Sequence, residues 1–464
     1  MAYKGYIVKV KELRKHPNAD RLQIATFFGN DVCVGLDIQI DDIGIYFPCD
    51  GQLSEKYCEQ NNLVRKKDDA GNNIGGYMDP NKRNVTAIKL RGEKSDGLFM
   101  PLSSLDYCYP DINGGAACML NVGDTIDIVN GYDICTKYIP IRKNKGNNVS
   151  EGNKTRKKKV NVSPLFKEHA DTEQLAYNLS AFKPGDQIEI TLKMHGTSQR
   201  TGYLPVLTRY KRNLIDIILR REGTPIYEWG YVSGTRRVVL ENYEGGFYGD
   251  NSFREKHSKI FEGKLLKGET VYYEVVGFTD TGAPIMGNGN NEKLGKDFVK
   301  QYGKETVFSY GCEPNVLVCD DTDGREQKVI GQSDIYVYRM TMTNEDGDVV
   351  EYTPDYMRYR CEQMDVKTVP VLWKGIIPMS TGDEAAIELG MTAGEWIKEQ
   401  AELFYAGPDP IGKTHTREGA VVRIINRPKF AAYKHKNFEF KVLEGIIKDA
   451  ADAPDVEEAQ EVTE

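Results

Sequence analysis

The sequence predicts an α+β protein in which a small N-terminal β-barrel precedes a second domain of sheets and helices. The first observation is a series of short apolar segments between Gly, Asp and Asn turns, at 6–10, 22–27, 32–36, 44–47 and 85–90. Because few amphipathic helices separate these segments, a barrel of short strands is the simplest arrangement. The second observation is that a polar, basic stretch follows them, and that longer alternating strands and helical segments begin after it.

The domain boundaries follow from this pattern. We predict a barrel at 1–140, a flexible linker at 141–161, a second domain at 162–446 and an acidic, disordered tail at 447–464. The basic run 156–159 either follows a phosphate backbone or is a solvated part of the linker. Within the second domain, we expect residues 171–179 to form a helix and residues 382–405 to form a helix packed on a sheet.

Composition excludes several classes of protein. The chain has 464 residues, of which 40% are hydrophobic and 28% charged, and no apolar run is long enough to span a bilayer. Nine cysteines without a C-x-x-C pair favour reduced thiols in the cytoplasm over disulfides or a zinc site. The net charge is −8, but the last sixteen residues hold seven acidic and no basic side chains, which leaves −1 for the rest. This balance is compatible with a nucleic-acid partner, because local patches matter more than the total.

The most informative stretch lies at 188–199. Apolar residues alternate along 188–192 and predict a half-buried strand, which ends at Lys193 and runs into a tight turn with His195 and Gly196. Neighbouring cations would favour the neutral, nucleophilic form of a lysine in this place. Glycine in the turn would let the backbone approach a ligand closely.

The string K-M-H-G-T-S, from Lys193 to Ser198, resembles motif I of the covalent nucleotidyltransferases, the superfamily of DNA ligases, RNA ligases and mRNA capping enzymes. In that family the motif is Lys-x-Asp-Gly, and the lysine takes up a nucleotide as a phosphoramidate. His195 stands where the aspartate is usual, as is typical of the RNA ligase 2 branch. The resemblance implies an ATP-grasp-like ligase domain of antiparallel sheets and helices. It also implies Lys193 as nucleophile, with His195, Gly196 and Ser198 at the nucleotide.

Two downstream segments resemble motifs Ia and III of the same family. The string W-G-Y-V-S-G-T-R-R resembles motif Ia, in which an arginine contacts the nucleotide or a 5′-phosphate; Arg236 is the first choice and Arg237 the second. Two exposed arginines at the start of a strand would give the same pattern. Glu274 lies among apolar residues at 271–278 and needs a partner if buried. This strand resembles motif III, whose glutamate binds the ribose.

The segment 334–340 resembles motif IIIa, which supplies a side chain that stacks on the base. Ile335, Tyr336 and Tyr338 are all compatible with this role, and core packing is an equal alternative. We take Tyr336 as the candidate.

The last two motifs complete the site that the resemblance implies. Glu418 in R-E-G-A-V-V-R-I matches motif IV and would organise a metal ion, and Lys434 and Lys436 match motif V. Lysines two apart on a strand face the same side. Two ammonium groups and a metal ion would favour a neutral Lys193, and would stabilise the charge that develops on the phosphate and on the leaving pyrophosphate.

The N-terminal region carries its own resemblance. The string at 16–22 resembles the opening of certain RNA-binding OB folds, and the segments 43–53 and 88–101 resemble the N-terminal OB domain of a bacterial group of RNA ligases. Lys89, Arg91 and Lys94 are candidates for contact with an RNA backbone, although a solvated face is an equal explanation.

Together these resemblances imply an ATP-dependent RNA ligase that uses Mg²⁺ or Mn²⁺. It would join RNA 3′-hydroxyl and 5′-phosphate ends at nicks or breaks in RNA repair, and we expect a cytoplasmic monomer. Only 28 residues follow Lys436, so we do not expect the C-terminal OB domain of DNA ligases. Two alternatives remain: a capping-type guanylyltransferase that uses GTP, and a non-catalytic RNA-binding protein.

Overall fold

The computed structural model describes residues 3–71, 73–139, 162–170, 172–219, 221, 223–236, 238–240, 243, 251–319, 327–379 and 391–449. The α-helices in this part of the chain are α1 Glu55–Gln60, α2 Leu214–Ile218, α3 Ser252–Lys259, α4 Lys296–Tyr302, α5 Pro354–Met364, α6 Ala393–Glu402 and α7 Phe438–Asp449. Short 3₁₀ helices lie at Leu102–Cys108, Gly115–Cys118, Leu175–Tyr177, Leu179–Ala181 and Asn291–Leu294.

The strands before residue 140 are β1 Gly5–Lys9, β2 Leu13–Lys15, β3 Leu22–Phe27, β4 Asn30–Gly35, β5 Ile43–Phe47, β6 Gly51–Leu53, β7 Lys66–Lys67, β8 Asn73–Gly75, β9 Asn84–Val85, β10 Ala87–Leu90, β11 Glu93–Asp96, β12 Leu98–Pro101, β13 Thr125–Ile126, β14 Ile128–Val129, β15 Tyr132–Asp133 and β16 Cys135–Lys137. The later strands are β17 Glu173–Gln174, β18 Gln187–Lys193, β19 Thr197–Lys211, β20 Thr224–Gly234, β21 Val239–Leu240, β22 Glu269–Gly277, β23 Gly289–Asn290, β24 Glu305–Thr306, β25 Val316–Cys319, β26 Gln327–Ile330, β27 Ser333–Thr343, β28 Val349–Glu351, β29 Val371–Ile376, β30 Gly419–Ile424 and β31 Ala431–Lys436.

The chain divides into two compact units, and the first of them is discontinuous in sequence. It contains the residues up to 139 together with 289–305 and 436–449. Its largest sheet is antiparallel, in the order β12-β5-β1-β13, and β2-β3-β4 and β16-β6-β9 form three-stranded antiparallel sheets. Apolar residues that alternate along these strands enclose a core whose fully buried members include Ile7, Ile45, Phe47, Leu53 and Tyr57.

A short polar motif and a late helix tie this unit together. His16 contacts the carbonyl of Leu90 through Nε2 at 3.0 Å and accepts from the backbone N–H of Asn18 through Nδ1 at 3.1 Å. The string at 16–22 therefore joins the β2–β3 turn to the end of β10. From α7, Lys441 reaches the carboxylate of Asp96 at 2.5 Å.

The second unit contains two large sheets and the two-stranded antiparallel sheet β25-β26. The first has the order β17-β31-β30-β18-β29, in which β18 is antiparallel to both neighbours and β17 joins β31 in parallel. Ile188 and Ile190 of β18 and Val422 of β30 pack against Ile397 and Ala401 of α6. One face of this sheet is therefore covered by α6, and the residues that alternate with this apolar set face the other way.

The second sheet of this unit is antiparallel throughout, in the order β21-β20-β19-β22-β27-β28. Its core includes Val271, Tyr273, Ile335 and Val337, which pack with Phe253 of α3. Since β22 pairs only with 197–202 of β19, the rest of β19 and its partner β20 extend as a two-stranded hairpin.

Helix α5 binds both sheets through ion pairs with buried carboxylates. Arg358 forms two hydrogen bonds with Glu189 of β18, at 3.0 and 2.7 Å, and Arg360 forms two with Glu269 of β22, both at 2.8 Å. Glu189 and Glu269 are 3% and 0% exposed, so these paired guanidinium groups are what makes their burial tolerable. The two strands that flank the candidate site are thus held by one helix.

The α+β class and the antiparallel sheets are confirmed, and α6 packs on the sheet as predicted. The helix expected at 171–179 is wrong: Glu173–Gln174 is a strand paired with β31, and 3₁₀ turns follow. The side chain of Asn178 donates to the carbonyl of Gln174 at 2.8 Å, a local bond that competes with helix formation. The predicted linker and the basic run 156–159 lie outside the described residues, as do 380–390 and the tail after 449.

The OB assignment of the N-terminal region remains a prediction, because the strands at 3–71 and 73–139 fall into separate small sheets. Residues 289–305 and 436–446, which the sequence placed in the second domain, group with the first unit. Among the described residues, we find no helix with the length and apolar character needed to cross a membrane.

Candidate active site

Lys193 and Glu418 form the centre of the candidate site. Lys193 is the last residue of β18, on the face opposite to Ile188 and Ile190, and its Cα partner in β30 is Gly419. This register brings the preceding residue, Glu418, beside the lysine. The Lys193 Nζ atom lies 2.6 Å from Glu418 Oε1, and the side chains are 22% and 3% exposed.

His195 lies in the turn between β18 and β19, next to this pair. Its Nδ1 atom is 3.8 Å from Glu418 Oε2, and its backbone N–H donates to the hydroxyl of Tyr310 at 2.7 Å. The His195 ring packs edge-on against Phe308 with 4.6 Å between ring centroids. The backbone and the side chain of the histidine are therefore both held.

Gly196 lies directly against β22. A Cβ atom at this position would be 2.4 Å from the carbonyl oxygen of Val275 and 2.8 Å from Cγ of Glu274. Real Cβ contacts are not this short. The nearest atom, the Val275 carbonyl oxygen, belongs to the backbone and cannot move aside as a side chain can. The glycine of the motif is therefore needed here for close approach of two strands.

Three predicted residues form a row across the second sheet. Ser198 of β19 is the Cα partner of Glu274 in β22, and Glu274 is the partner of Tyr336 in β27. Paired residues in a sheet project to the same face, so the serine, the carboxylate and the phenol lie side by side. Glu274 is half-buried, and Tyr336 is 6% exposed.

Strands β22 and β27 pair through a β-bulge, and burial removes one of the three candidates for the residue that stacks on the base. The pairing passes from Tyr272 with Arg339 to Tyr273 with Val337, which leaves Tyr338 as the extra residue of β27. The Tyr338 hydroxyl lies 3.0 Å from Ser198 Oγ. Ile335, in contrast, packs in the core beneath the sheet and is removed from the three candidates. The two tyrosines share the side of the sheet that carries Ser198 and Glu274.

The same side carries a cluster of rings and cations beyond the bulge. His169 contacts Arg339 at 3.1 Å through Nδ1, and its ring packs against Tyr338 with 5.1 Å between centroids. Arg339 also lies over the rings of Tyr272 and Phe430, at 4.6 and 4.7 Å. This cluster gives the candidate nucleotide site an aromatic border that the motifs did not indicate.

The two lysines of the last motif lie on the same face of β31. Tyr433 packs with Phe182 on the α6 side of the sheet, so Lys434 projects to the side that Lys193 occupies. Lys436 belongs to the first unit, where its Nζ atom lies 2.6 Å from Glu444 of α7. The roles of both lysines in catalysis stay predictions.

The remaining predicted residues have other partners. The carbonyl of Arg236 accepts a hydrogen bond from Arg200 at 2.5 Å, and Arg237 lies outside the described residues. In the first unit, Lys89 donates to the carbonyl of Leu294 at 3.4 Å, and Arg91 donates to the carbonyl of Asn18 at 3.2 Å. These two bonds help to hold the unit together, and the RNA contacts expected of both residues stay predictions.

Sequence reasoning missed a buried layer behind the turn. Tyr310 and His415 are 2% and 0% exposed, and their rings pack with 4.7 Å between centroids. Burial raises the pKa of the Tyr310 phenol well above its usual range, and the charge of Asp409 adds to this effect. Burial lowers the pKa of the His415 imidazole, although the charge of Asp409 opposes this effect. One signal was available, because His415 precedes the predicted Glu418 by only three residues.

In the part of the chain that the structure describes, side chains alone do not form a metal cage. Within the described ranges, no group of three or more His, Cys, Asp or Glu side chains is placed to hold a metal ion. Magnesium usually takes one or two carboxylates and completes its shell with water and substrate phosphates. Glu418, with one oxygen at Lys193 and the other near His195, fits a metal of that kind.

Comparisons with known proteins agree with this geometry at the level of the fold. No family model matches the sequence, and no curated protein matches it. Among solved structures, a lysine-to-methionine variant of the Naegleria gruberi RNA ligase with AMP and Mn gives a TM-score of 0.51 at 16% identity, over 94% of this chain and 97% of that chain. The chain shares the fold of this RNA ligase. A glutamate-to-alanine variant with ATP and Mn also gives 0.51 at 16% identity, over 94% of this chain and 98% of that chain.

Proposed function

We propose that this protein is an ATP-dependent RNA ligase that forms a covalent lysyl-AMP at Lys193. The AMP would pass to an RNA 5′-phosphate, and a 3′-hydroxyl would then attack and seal the strand in RNA repair. The observation that carries the proposal is the Lys193 ammonium at 2.6 Å from the buried carboxylate of Glu418, at the end of β18. The shared fold with an RNA ligase supports the same reaction class.

The first chemical step follows from the position of Lys193. Its Nζ atom attacks the α-phosphorus of ATP, a P–N bond forms, and the bond to the bridging oxygen breaks as pyrophosphate leaves. Attack requires a neutral amine, so the ammonium must leave its ion pair with Glu418 and lose a proton. Lys434, on the same side of the sheet, would stabilise the negative charge that develops on the phosphate. For Lys436 we propose the same task, which its present bond to Glu444 would have to release.

The nucleotide would lie over the row formed by Ser198, Glu274 and Tyr336. The carboxylate of Glu274 suits the hydroxyls of a ribose, and a tyrosine of β27 would stack on the adenine. His195 and Gly196 would approach the phosphates from the turn, and Arg236 would contact the nucleotide or the RNA 5′-phosphate. Magnesium or manganese, held by Glu418 and the phosphates, would neutralise charge on the leaving group.

The N-terminal unit would contribute to binding of RNA. We assign it an OB-type, RNA-binding role on the resemblance of its segments 43–53 and 88–101. Lys89 and Arg91 would contact the phosphate backbone, at the cost of their present bonds to Leu294 and Asn18. Such contacts would make binding strongly dependent on salt.

The decisive experiment is labelling of the protein with ATP that carries ³²P at the α-phosphate. With Mg²⁺ or Mn²⁺ present, we expect a labelled band on a denaturing gel, sensitive to acid, as P–N bonds are. Lys193→Ala should remove the band completely. A band that persists in this variant would show that the lysine is not the nucleophile.

Labelling also separates the two alternatives. A band with labelled GTP and none with ATP would identify a capping-type guanylyltransferase. No band with either nucleotide, in a protein that still retains RNA on a filter, would indicate a non-catalytic RNA-binding protein.

A further inference from the structure

Tyr310 is outside every motif, yet its side chain binds the backbone of the turn after Lys193. Its hydroxyl accepts the His195 N–H at 2.7 Å, across 115 positions of sequence. The tyrosine is 2% exposed, so the bond is shielded from water. A buried N–H that lost this acceptor would have to move or bear a desolvation cost.

The backbone of Tyr310 is held in an unfavourable conformation. Its φ angle is +48°, in the left-handed region that bulky residues rarely adopt. Strain of this kind persists only where the surrounding structure enforces it, and it concentrates at functional sites. In this conformation the Tyr310 side chain reaches the turn after Lys193.

A closed circuit of rings fixes the tyrosine and the histidine together. The His195 ring packs on Phe308, Phe308 packs on His415 at 5.1 Å, and His415 packs on Tyr310 at 4.7 Å. His415 is fully buried, and its Nδ1 contacts the carbonyl of Thr416 at 3.0 Å. The hydrogen bond from His195 to Tyr310 closes this circuit, so the histidine is restrained from two sides.

We propose that Tyr310 is a positioning residue for nucleotidyl transfer: its hydroxyl fixes His195, and His195 in turn holds the Lys193–Glu418 pair in line with the α-phosphate. This inference rests on the proposed function. His195 links Tyr310 to Glu418, because its Nδ1 atom lies 3.8 Å from Glu418 Oε2 while its backbone N–H is bound by the tyrosine. Small misplacements of reacting groups lower the rate far more than they lower binding.

The test is Tyr310→Phe, which keeps the ring and removes only the hydroxyl. We expect the single-turnover rate of lysyl-AMP formation to fall by about 10- to 100-fold, with less than about a 3-fold change in the ATP concentration at half-maximal rate. Tyr352→Phe is the matched control for the loss of a buried phenol hydroxyl. The hydroxyl that it removes bonds to Glu269 at 3.1 Å and not to the turn after Lys193. Both variants should melt within a few degrees of each other.

A double-mutant cycle with His195→Ala distinguishes positioning from a general loss of structure. If Tyr310 acts through His195, removing its hydroxyl in the His195→Ala protein should change the rate by less than about 3-fold. Equal losses in both backgrounds would overturn the inference, as would a Tyr310→Phe rate equal to the wild-type rate. A wild-type protein that forms no adduct with ATP would instead refute the proposed function and this inference with it.

Discussion

Gly196 shows how much of the candidate site depends on the absence of a single side chain. It has no positive φ angle that would require glycine, so the reason for its presence is space alone. A Cβ atom would meet the carbonyl oxygen of Val275 at 2.4 Å, and a strand in the middle of a sheet cannot yield easily. The turn itself would have to move away from β22.

We therefore expect Gly196→Ala to lower the rate of adduct formation by at least about 10-fold, because Lys193 and His195 would shift with the turn. Single-turnover labelling with ATP measures this rate. Gly445→Ala is the matched control: Gly445 lies in α7, and a Cβ atom there would have open space within 4 Å, so the rate should not change. Unchanged labelling in the Gly196 variant would show that the turn adapts.

The sequence was sufficient for the candidate residues of the proposed reaction and insufficient for those that hold them. Lys193, His195 and Glu418 were predicted from short motifs, and the structure brings them together. Tyr310 was not, because its contact depends on a fold that joins positions 115 apart. A hydrogen bond from a backbone N–H to a phenol produces no recognisable sequence motif around either residue.

At the scale of elements, strands were easier to predict than their irregularities. The strand through Glu274 was predicted from its apolar alternation, and it extends over Glu269–Gly277. The bulge at Tyr338 was not predicted, because an extra residue in one strand shows only against its partner strand.

Helix α3 contains a buried histidine, His257, through which the free energy of unfolding should depend on pH. His257 is 3% exposed, and its Nε2 atom lies 2.8 Å from Ser333 Oγ of β27. Burial, followed by the charge of Lys256, lowers the pKa of His257 from 6.5 to about 4, although Asp334 opposes this. Between these values the unfolded chain binds a proton that the folded protein does not. The free energy of unfolding therefore decreases as the pH falls from 6.5 towards 4.

From pH 7 to pH 5, this single group should cost the wild-type protein about 2 kcal/mol of unfolding free energy. His257→Gln can still bond to Ser333 but does not titrate, so its loss over the same range should be smaller by that amount. Urea denaturation at the two pH values measures both losses, and contributions from other groups cancel in the difference. Equal losses in the two proteins would mean that His257 binds its proton as readily in the folded state as in the unfolded state between pH 7 and pH 5.

At the scale of the whole molecule, the two compact units do not follow the order of the chain. Residues 289–305 and 436–449 complete a unit that is otherwise N-terminal, so strands and helices far apart in sequence belong to one compact unit. No change in composition along the sequence marks the two later segments that belong to the first unit. The sequence boundaries were drawn at a polar linker and an acidic tail, which are the features that composition can reveal.

The pair of Lys441 and Asp96 tests whether α7 is an integral part of the first unit. Their atoms meet at 2.5 Å across 345 positions, the side chains are 19% and 7% exposed, and Cys49 donates to the second Asp96 oxygen at 2.9 Å. Lys441→Met would leave the aspartate buried without its cation, which should cost about 3–5 kcal/mol of unfolding free energy.

Lys441→Met combined with Asp96→Leu removes both charges and should recover most of this loss, because no buried ion then remains unpaired. Urea denaturation of the full-length proteins, followed by circular dichroism, gives the three free energies. If the single variant is as stable as the wild type, α7 does not shield Asp96 and the discontinuous unit is not a cooperative one. If the double variant is as unstable as the single one, the cost comes from lost packing of the lysine stem and not from the buried charge.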